Sequence, residues 1–255
     1  MDAFTGNKNE AIDALEAAIA RFSELLSRAN GEEDVPTCPG WTVRDLVIHL
    51  GTIHRWAAAI VLSGQMARKP RPIVRGGLAH WYSGASSALV AALKAVEPDE
   101  PVPNFGTLDE TAAFWARRQL HEVIVHTYDL ARARARASAS ASACSVDEPE
   151  PELPAELAAD GIDEVLTVFF LRLVANGSPP DVRENIRITA TDTGTTWVVG
   201  PGEPPQLYPP STAADATIEG SARDIYFALW GRTLISRLEI QGEAARALLD
   251  GPTSL

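Results

Sequence analysis

The stretch "RRQLHEVIVHTYDLA", residues 117–131, decides how the chain is read. With Phe114 before it, the apolar residues Leu120, Ile124 and Tyr128 recur at helical spacing. On that helix Glu122 and His126 stand four apart, so they share one face a turn apart. A carboxylate oxygen and an imidazole nitrogen placed this way can converge on one ion. A third donor has to come from another helix. His49 in "DLVIHLG" is the best candidate, mid-helix among Leu46, Val47, Ile48 and Leu50. Two imidazoles and one carboxylate leave a coordination position open to water or a thiol. That is the stoichiometry of catalytic rather than structural zinc. Spacing alone is a weak signal. A Glu–His pair four apart is usually a solvated helix face, and a histidine among aliphatics is more often a satisfied core residue. A di-metal bundle would use Glu-x-x-His motifs at three-residue spacing, and a second motif is missing here, so the site takes one ion.

The neighbours of these residues have plainer roles to weigh. Asp45 lies one turn before His49, and Asp129 lies three residues after His126. Either could accept the free imidazole N–H of a ligand. Asp45 also suits the acid of a helix cap, and Asp129 suits a solvated face. His121 sits about 100° of helix rotation away from Glu122. His54 and His80 have no partner at metal spacing. Trp41 fits a hydrophobic contact at a helix start better than a pocket wall. Cys38 has no histidine in local sequence and reads as an unreactive thiol.

Working outward, residues 8–29 carry Ile12, Leu15, Ile19, Phe22, Leu25 and Leu26, an amphipathic helix. "VPTCPGW" breaks it, and Thr42 to Asp45 reads as a capping box that opens a second helix running to about Ser63. A third helix fits 79–96, and the fourth begins near Asp109. Four amphipathic helices with short connections predict a helix bundle over residues 1–137. "ARARARASASASACS" and "VDEPEPELP" then read as a linker, assigned to 138–154, although the first part could extend the fourth helix. Beyond it, 155–176 has a helical pattern, and "NIRITATDTGTTWVVGP" gives two alternating runs around Asp192-Thr-Gly194, a hairpin. "DATIEG" and "RLEIQG" read as strands. Ser221 caps a helix through Trp230, and a short helix follows. Residues 155–255 are therefore predicted to be a small α+β domain.

Composition narrows the function classes. The formal net charge of −12 repels phosphate backbones, so nucleic acid is not an expected partner. Residues 1–10 show no basic region followed by an apolar one, so no secretory signal is expected. No uninterrupted run of about 18 apolar residues is present, so no membrane partner is expected. Two cysteines, Cys38 and Cys144, make no disulfide framework. The default is a cytoplasmic protein, a monomer or weak homodimer.

Taken in order, "PTCPGWTVRDLVIHLGTIHRWAAAIV", "HEVIVHTYDLA" and "DATIEGSARDIYFALWGR" resemble the mycothiol-dependent maleylpyruvate isomerase family over roughly residues 8–250. The resemblance implies a DinB-like metal-binding bundle followed by a sterol-carrier-like α+β domain. It implies zinc, or another divalent metal, on His49, Glu122 and His126. It implies mycothiol, a low-molecular-weight thiol, as co-substrate beside a small electrophile. It also implies that Arg232, in "LWGR", is the catalytic arginine of the second domain. Zinc lowers the pKa of a bound thiol, which then adds to an activated C=C bond. Rotation and elimination give the trans isomer, and departure of another group instead makes the site a thiol transferase. The alternatives are a non-catalytic metal-containing carrier or sensor, and a hydrolase using zinc-bound water.

Overall fold

The computed structural model describes residues 8–106, 110–141, 152–202, 204–233 and 235–251, with the backbone alone for 8 and 139–141. It divides into two compact units. One holds the described residues up to 104 and 110–141, the other 105–106 and those from 152 onward.

The first unit contains four helices: α1 (Lys8–Leu26), α2 (Val43–Ser63), α3 (Leu78–Lys94) and α4 (Ala112–Ala141). Its core is built from Leu15, Phe22, Leu46, Leu50, Leu89 and Trp115, all essentially inaccessible. The capping box at the head of α2 is present. Thr42 Oγ1 accepts from the Asp45 amide, and the Asp45 carboxylate accepts from the Thr42 amide at 3.0 Å. Gly64 ends the helix at φ 61° with its N–H on the Ile60 carbonyl. Between its ends α2 lies very close to α3. A Cβ built on Gly51 would fall 2.3 Å from the Trp81 ring, so only glycine fits there.

By length and composition α2 could cross a membrane, with a mean hydropathy of 1.4 over its best window. The count of uninterrupted apolar residues did not anticipate this, because Arg44, Asp45 and Arg55 break the run without lowering the average enough. Over half of that window, 56%, is buried inside the bundle, so α2 is a core helix. Of the two readings of the Ala/Arg/Ser tract, extension of the fourth helix holds as far as Ala141, past the position 138 assigned to the start of the linker. Alanine and arginine are strong helix formers. Small side chains also let the tract pack closely, with Ala131 and Ala133 buried. The remaining part of the expected linker, with Cys144, lies outside the described residues up to Glu152.

The second unit starts with one helical stretch, α5 (Ala155–Glu164), a π turn over Val165–Phe169, and α6 (Phe170–Ala175). The sequence pattern predicts an unbroken helix there, and the wider turn is a local departure of the kind that follows one inserted residue. Five strands follow: β1 (Ile186–Ala190), β2 (Thr195–Gly200), β3 (Gln206–Tyr208), β4 (Ala216–Gly220) and β5 (Glu239–Gln241). They form one sheet in the order β3-β2-β1-β4-β5, antiparallel except for the parallel β1–β4 pair. The β1–β2 hairpin turns at Gly194, φ 71°. Ile186 and Ile188 pair with Val199 and Trp197 on one side and Ala216 and Ile218 on the other, so one face of the sheet is a continuous apolar layer. Helices α7 (Ala222–Leu229) and α8 (Glu243–Asp250) pack on the sheet, and α5 packs against α7. A four-helix bundle followed by a small α+β unit is thus the architecture of the chain.

Candidate metal centre

Helices α2 and α4 bring the three sequence-picked donors together. One nitrogen each of His49 and His126 and one oxygen of Glu122 all lie within 4.8 Å of one another. Glu122 Oε1 is 3.1 Å from His49 Nε2 and 3.4 Å from His126 Nε2. The donor set, two imidazoles and one carboxylate, suits a divalent ion of the zinc type. His126 is buried, while the His49 side chain is 33% exposed, so the cluster is accessible from its His49 side.

The surroundings of these side chains are ordered by hydrogen bonds. The second carboxylate oxygen of Glu122 accepts from Arg118 at 2.8 Å, and that arginine side chain is only 3% exposed. Burial pushes the Glu122 carboxyl up. The bonds from His126 and His49 and the Arg118 charge outweigh it and hold the carboxyl well below its usual range. Asp129 is fully buried and held by donors from two elements. His126 Nδ1 is 2.9 Å from Oδ2, Thr37 Oγ1 donates to Oδ1 at 2.5 Å, and the Cys38 thiol reaches Oδ2 at 3.4 Å. Burial lowers the His126 pKa. The bonds to Asp129 and Glu122, with their charges, outweigh that and raise it to about 9 in the metal-free protein.

The neighbours divide between the roles their sequence positions offer. Asp129 faces the His126 imidazole at 2.9 Å and is no solvated residue, because the loop before α2 folds over it. Asp45 serves the cap of α2. Trp41, expected in a hydrophobic contact at the helix start rather than at a pocket wall, is part-exposed. Its ring lies 5.0 Å from that of His49 and stacks at 6.5 Å on that of His126. Cys38 borders the site through Asp129 rather than standing apart. Among the described residues His54, His80 and His121 lie outside the three-donor cluster. His54 is fully buried, with Nδ1 2.7 Å from Gln119 Oε1 and Nε2 3.4 Å from the Tyr82 hydroxyl. Sequence reasoning passed over Arg118, Gln119 and Thr37. Arg118 alone left a signal, since it stands four residues before Glu122, a spacing that pairs charges on a helix.

Residues 12–131 match the family model of the mycothiol maleylpyruvate isomerase N-terminal domain, and residues 156–249 match that of the C-terminal domain of the same isomerase. The chain belongs to the mycothiol maleylpyruvate isomerase family. The Ala/Arg/Ser tract and the acidic segment after it fall between the two matches. No curated protein matches the chain in sequence. Among solved structures, that of the mycothiol-dependent maleylpyruvate isomerase is 14% identical, with a TM-score of 0.63, over 94% of this chain and 96% of that one. A histidine-to-alanine mutant of a mycothiol-dependent maleylpyruvate isomerase is 13% identical with the same TM-score and coverage. At these identities the likeness is one of fold.

Arg232, the arginine that the family resemblance implies, sits just past α7. Its amide donates to the Phe227 carbonyl at 2.7 Å, and that of Gly231 to Ala228 at 2.8 Å, with Gly231 at φ 67°. This is a Schellman ending, so Gly231 in "WGR" has a structural task in stopping the helix. The Arg232 guanidinium donates to the Trp230 carbonyl at 2.6 Å.

Proposed function

We propose that this family member is an enzyme that holds one divalent ion, zinc or a close relative, on His49, Glu122 and His126. Mycothiol is its thiol co-substrate and a small electrophile its substrate. The reaction is cis–trans isomerisation of a maleylpyruvate-like acid, or transfer of the thiol. The observation that carries this reading is the convergence of two imidazole nitrogens and one carboxylate oxygen within 4.8 Å. Three such donors leave a position for an exogenous ligand. The mycothiol dependence of the structural relatives supports the choice of thiol. A thiol co-substrate also fits a reducing compartment, and the cytoplasm is the proposed location.

When bound, the ion lowers the pKa of the thiol so that thiolate exists at neutral pH. His49, Glu122 and His126 hold it, and the part-exposed His49 side keeps access open. The sulfur adds to one carbon of the substrate double bond, which becomes a single bond and rotates. Elimination of the thiol then restores the double bond in the trans form, with no net change in atoms or electrons. Arg232 is proposed to bind a substrate carboxylate with its planar fork and to stabilise charge on the adduct's oxygen.

Cobalt substitution tests the thiol arm. Mycothiol added to the cobalt-loaded protein should produce a sulfur-to-metal charge-transfer band. An unchanged spectrum at saturating thiol would favour a hydrolase or a ligand carrier. For Arg232, the expectation is that Arg232→Ala keeps its metal content and loses about 100-fold in turnover, the scale of one oxyanion donor. Arg232→Lys should recover only part, since the fork is lost. Wild-type turnover in Arg232→Ala would take the residue out of the mechanism.

A further inference from the structure

Each candidate ligand has a second polar atom, and in Glu122 and His126 that atom is already engaged. Glu122 turns Oε1 toward the two histidines while Arg118 holds Oε2 at 2.8 Å. His126 turns Nε2 toward Glu122 while Nδ1 lies 2.9 Å from Asp129. All four residues belong to α4, at spacings of four, four and three, so they form one stave of the bundle. Asp129 is itself fixed from outside that helix. Thr37 and Cys38, in the loop before α2, donate to its two oxygens. Its side chain is 0% exposed and that of Arg118 is 3% exposed, so water does not replace these contacts readily.

We propose that Arg118 and Asp129 are a positioning pair that selects which atoms of Glu122 and His126 meet the ion. Asp129 keeps the proton of neutral His126 on Nδ1 and so presents Nε2 as the ligand atom. Arg118 occupies Oε2 and so leaves Glu122 a single donor oxygen. Three single-atom ligands leave room for the thiol, whereas a carboxylate binding through both oxygens would fill part of that room. Thr37 belongs to the same device, because it fixes the carboxylate that fixes His126. This rests on the metal-site reading above. Its content is the assignment of roles to residues outside the ligand set.

The test uses the full-length protein loaded with zinc. Asp129→Asn keeps the shape and removes the charge. Its zinc affinity should fall about 10- to 100-fold, the usual cost of losing a partner behind a metal-bound histidine. In the wild type, NMR should show a slowly exchanging proton on Nδ1 of His126, and Asp129→Asn should lose that protection. In Arg118→Met, X-ray absorption should show an additional oxygen neighbour at zinc as Glu122 becomes bidentate. Thr37→Val keeps the acid and should weaken zinc binding in the same direction by about threefold or more, the worth of one hydrogen bond. It serves as the second variant if Asp129→Asn does not fold. Wild-type affinity in Asp129→Asn, or in Thr37→Val where only that variant folds, removes Asp129 from the pair. Unchanged coordination in Arg118→Met removes Arg118. Both results, with binding abolished in His49→Ala, overturn the proposal and leave the metal site standing. A wild-type protein that takes up no ion overturns both.

Discussion

His54 and His126 lie in the same bundle, and their surroundings shift them in opposite directions. Burial lowers the His54 pKa from 6.5 to about 4, since its one strong partner is the neutral Gln119 amide. His126 is also buried but lies between two carboxylates. The sign for His54 follows from which state binds the proton. Between pH 6.5 and about 4 the unfolded chain takes up a proton that the folded chain refuses. Its contribution is therefore complete above pH 6.5, falls as the pH drops through that window, and is lost at about pH 4. The shift corresponds to about 3 kcal/mol. Urea unfolding of wild type and His54→Gln from pH 7.5 to 4 should show the variant losing less stability on acidification. Parallel pH profiles would show that His54 titrates normally. At this scale the shared face of Glu122 and His126 was legible in the sequence because helical spacing is short-range, whereas spacing could not tie His49, 73 residues from Glu122, to them. Thr37, some 90 residues from its partner Asp129, was not legible, because only the folded chain brings that loop to α4.

At the scale of elements, the helices were readable wherever apolar periodicity and a cap agreed, as in α2 with Thr42 and Asp45. The Ala/Arg/Ser tract was open to two readings because its small residues resemble a linker in composition while favouring helix in propensity. Strand β3 is three residues long and exposed throughout, so it has no apolar alternation to read. Helices α2 and α3 come very close at Gly51. Gly51→Ala places a methyl group against the Trp81 ring, with atoms at 2.3 and 2.8 Å, and α2 and α3 must separate to admit it. A loss of about 1–3 kcal/mol is expected on the scale of overpacked cores, with a correspondingly lower melting temperature. Undiminished stability would mean that the Trp81 ring swings away freely. Gly51 is two residues from His49 on α2, so zinc affinity should weaken along with stability.

For the whole molecule, the two-part architecture follows from a change in hydrophobic period, helical before the Ala/Arg/Ser tract and mixed after it. The two family matches divide on either side of the same tract. An ion bound only by the folded bundle stabilises it by mass action, about 2.7 kcal/mol at a free concentration 100 times the dissociation constant. Chelation should therefore lower the melting temperature of wild type and leave that of His126→Ala unmoved. The central claim is that one ion is held by one residue of α2 and two of α4. Calorimetric titration of the metal-free protein with zinc tests it most directly, for wild type and for His49→Ala, Glu122→Ala and His126→Ala. The account predicts one zinc per wild-type chain and no specific uptake in any of the three variants. Two ions per chain, or wild-type binding in all three variants, would contradict it.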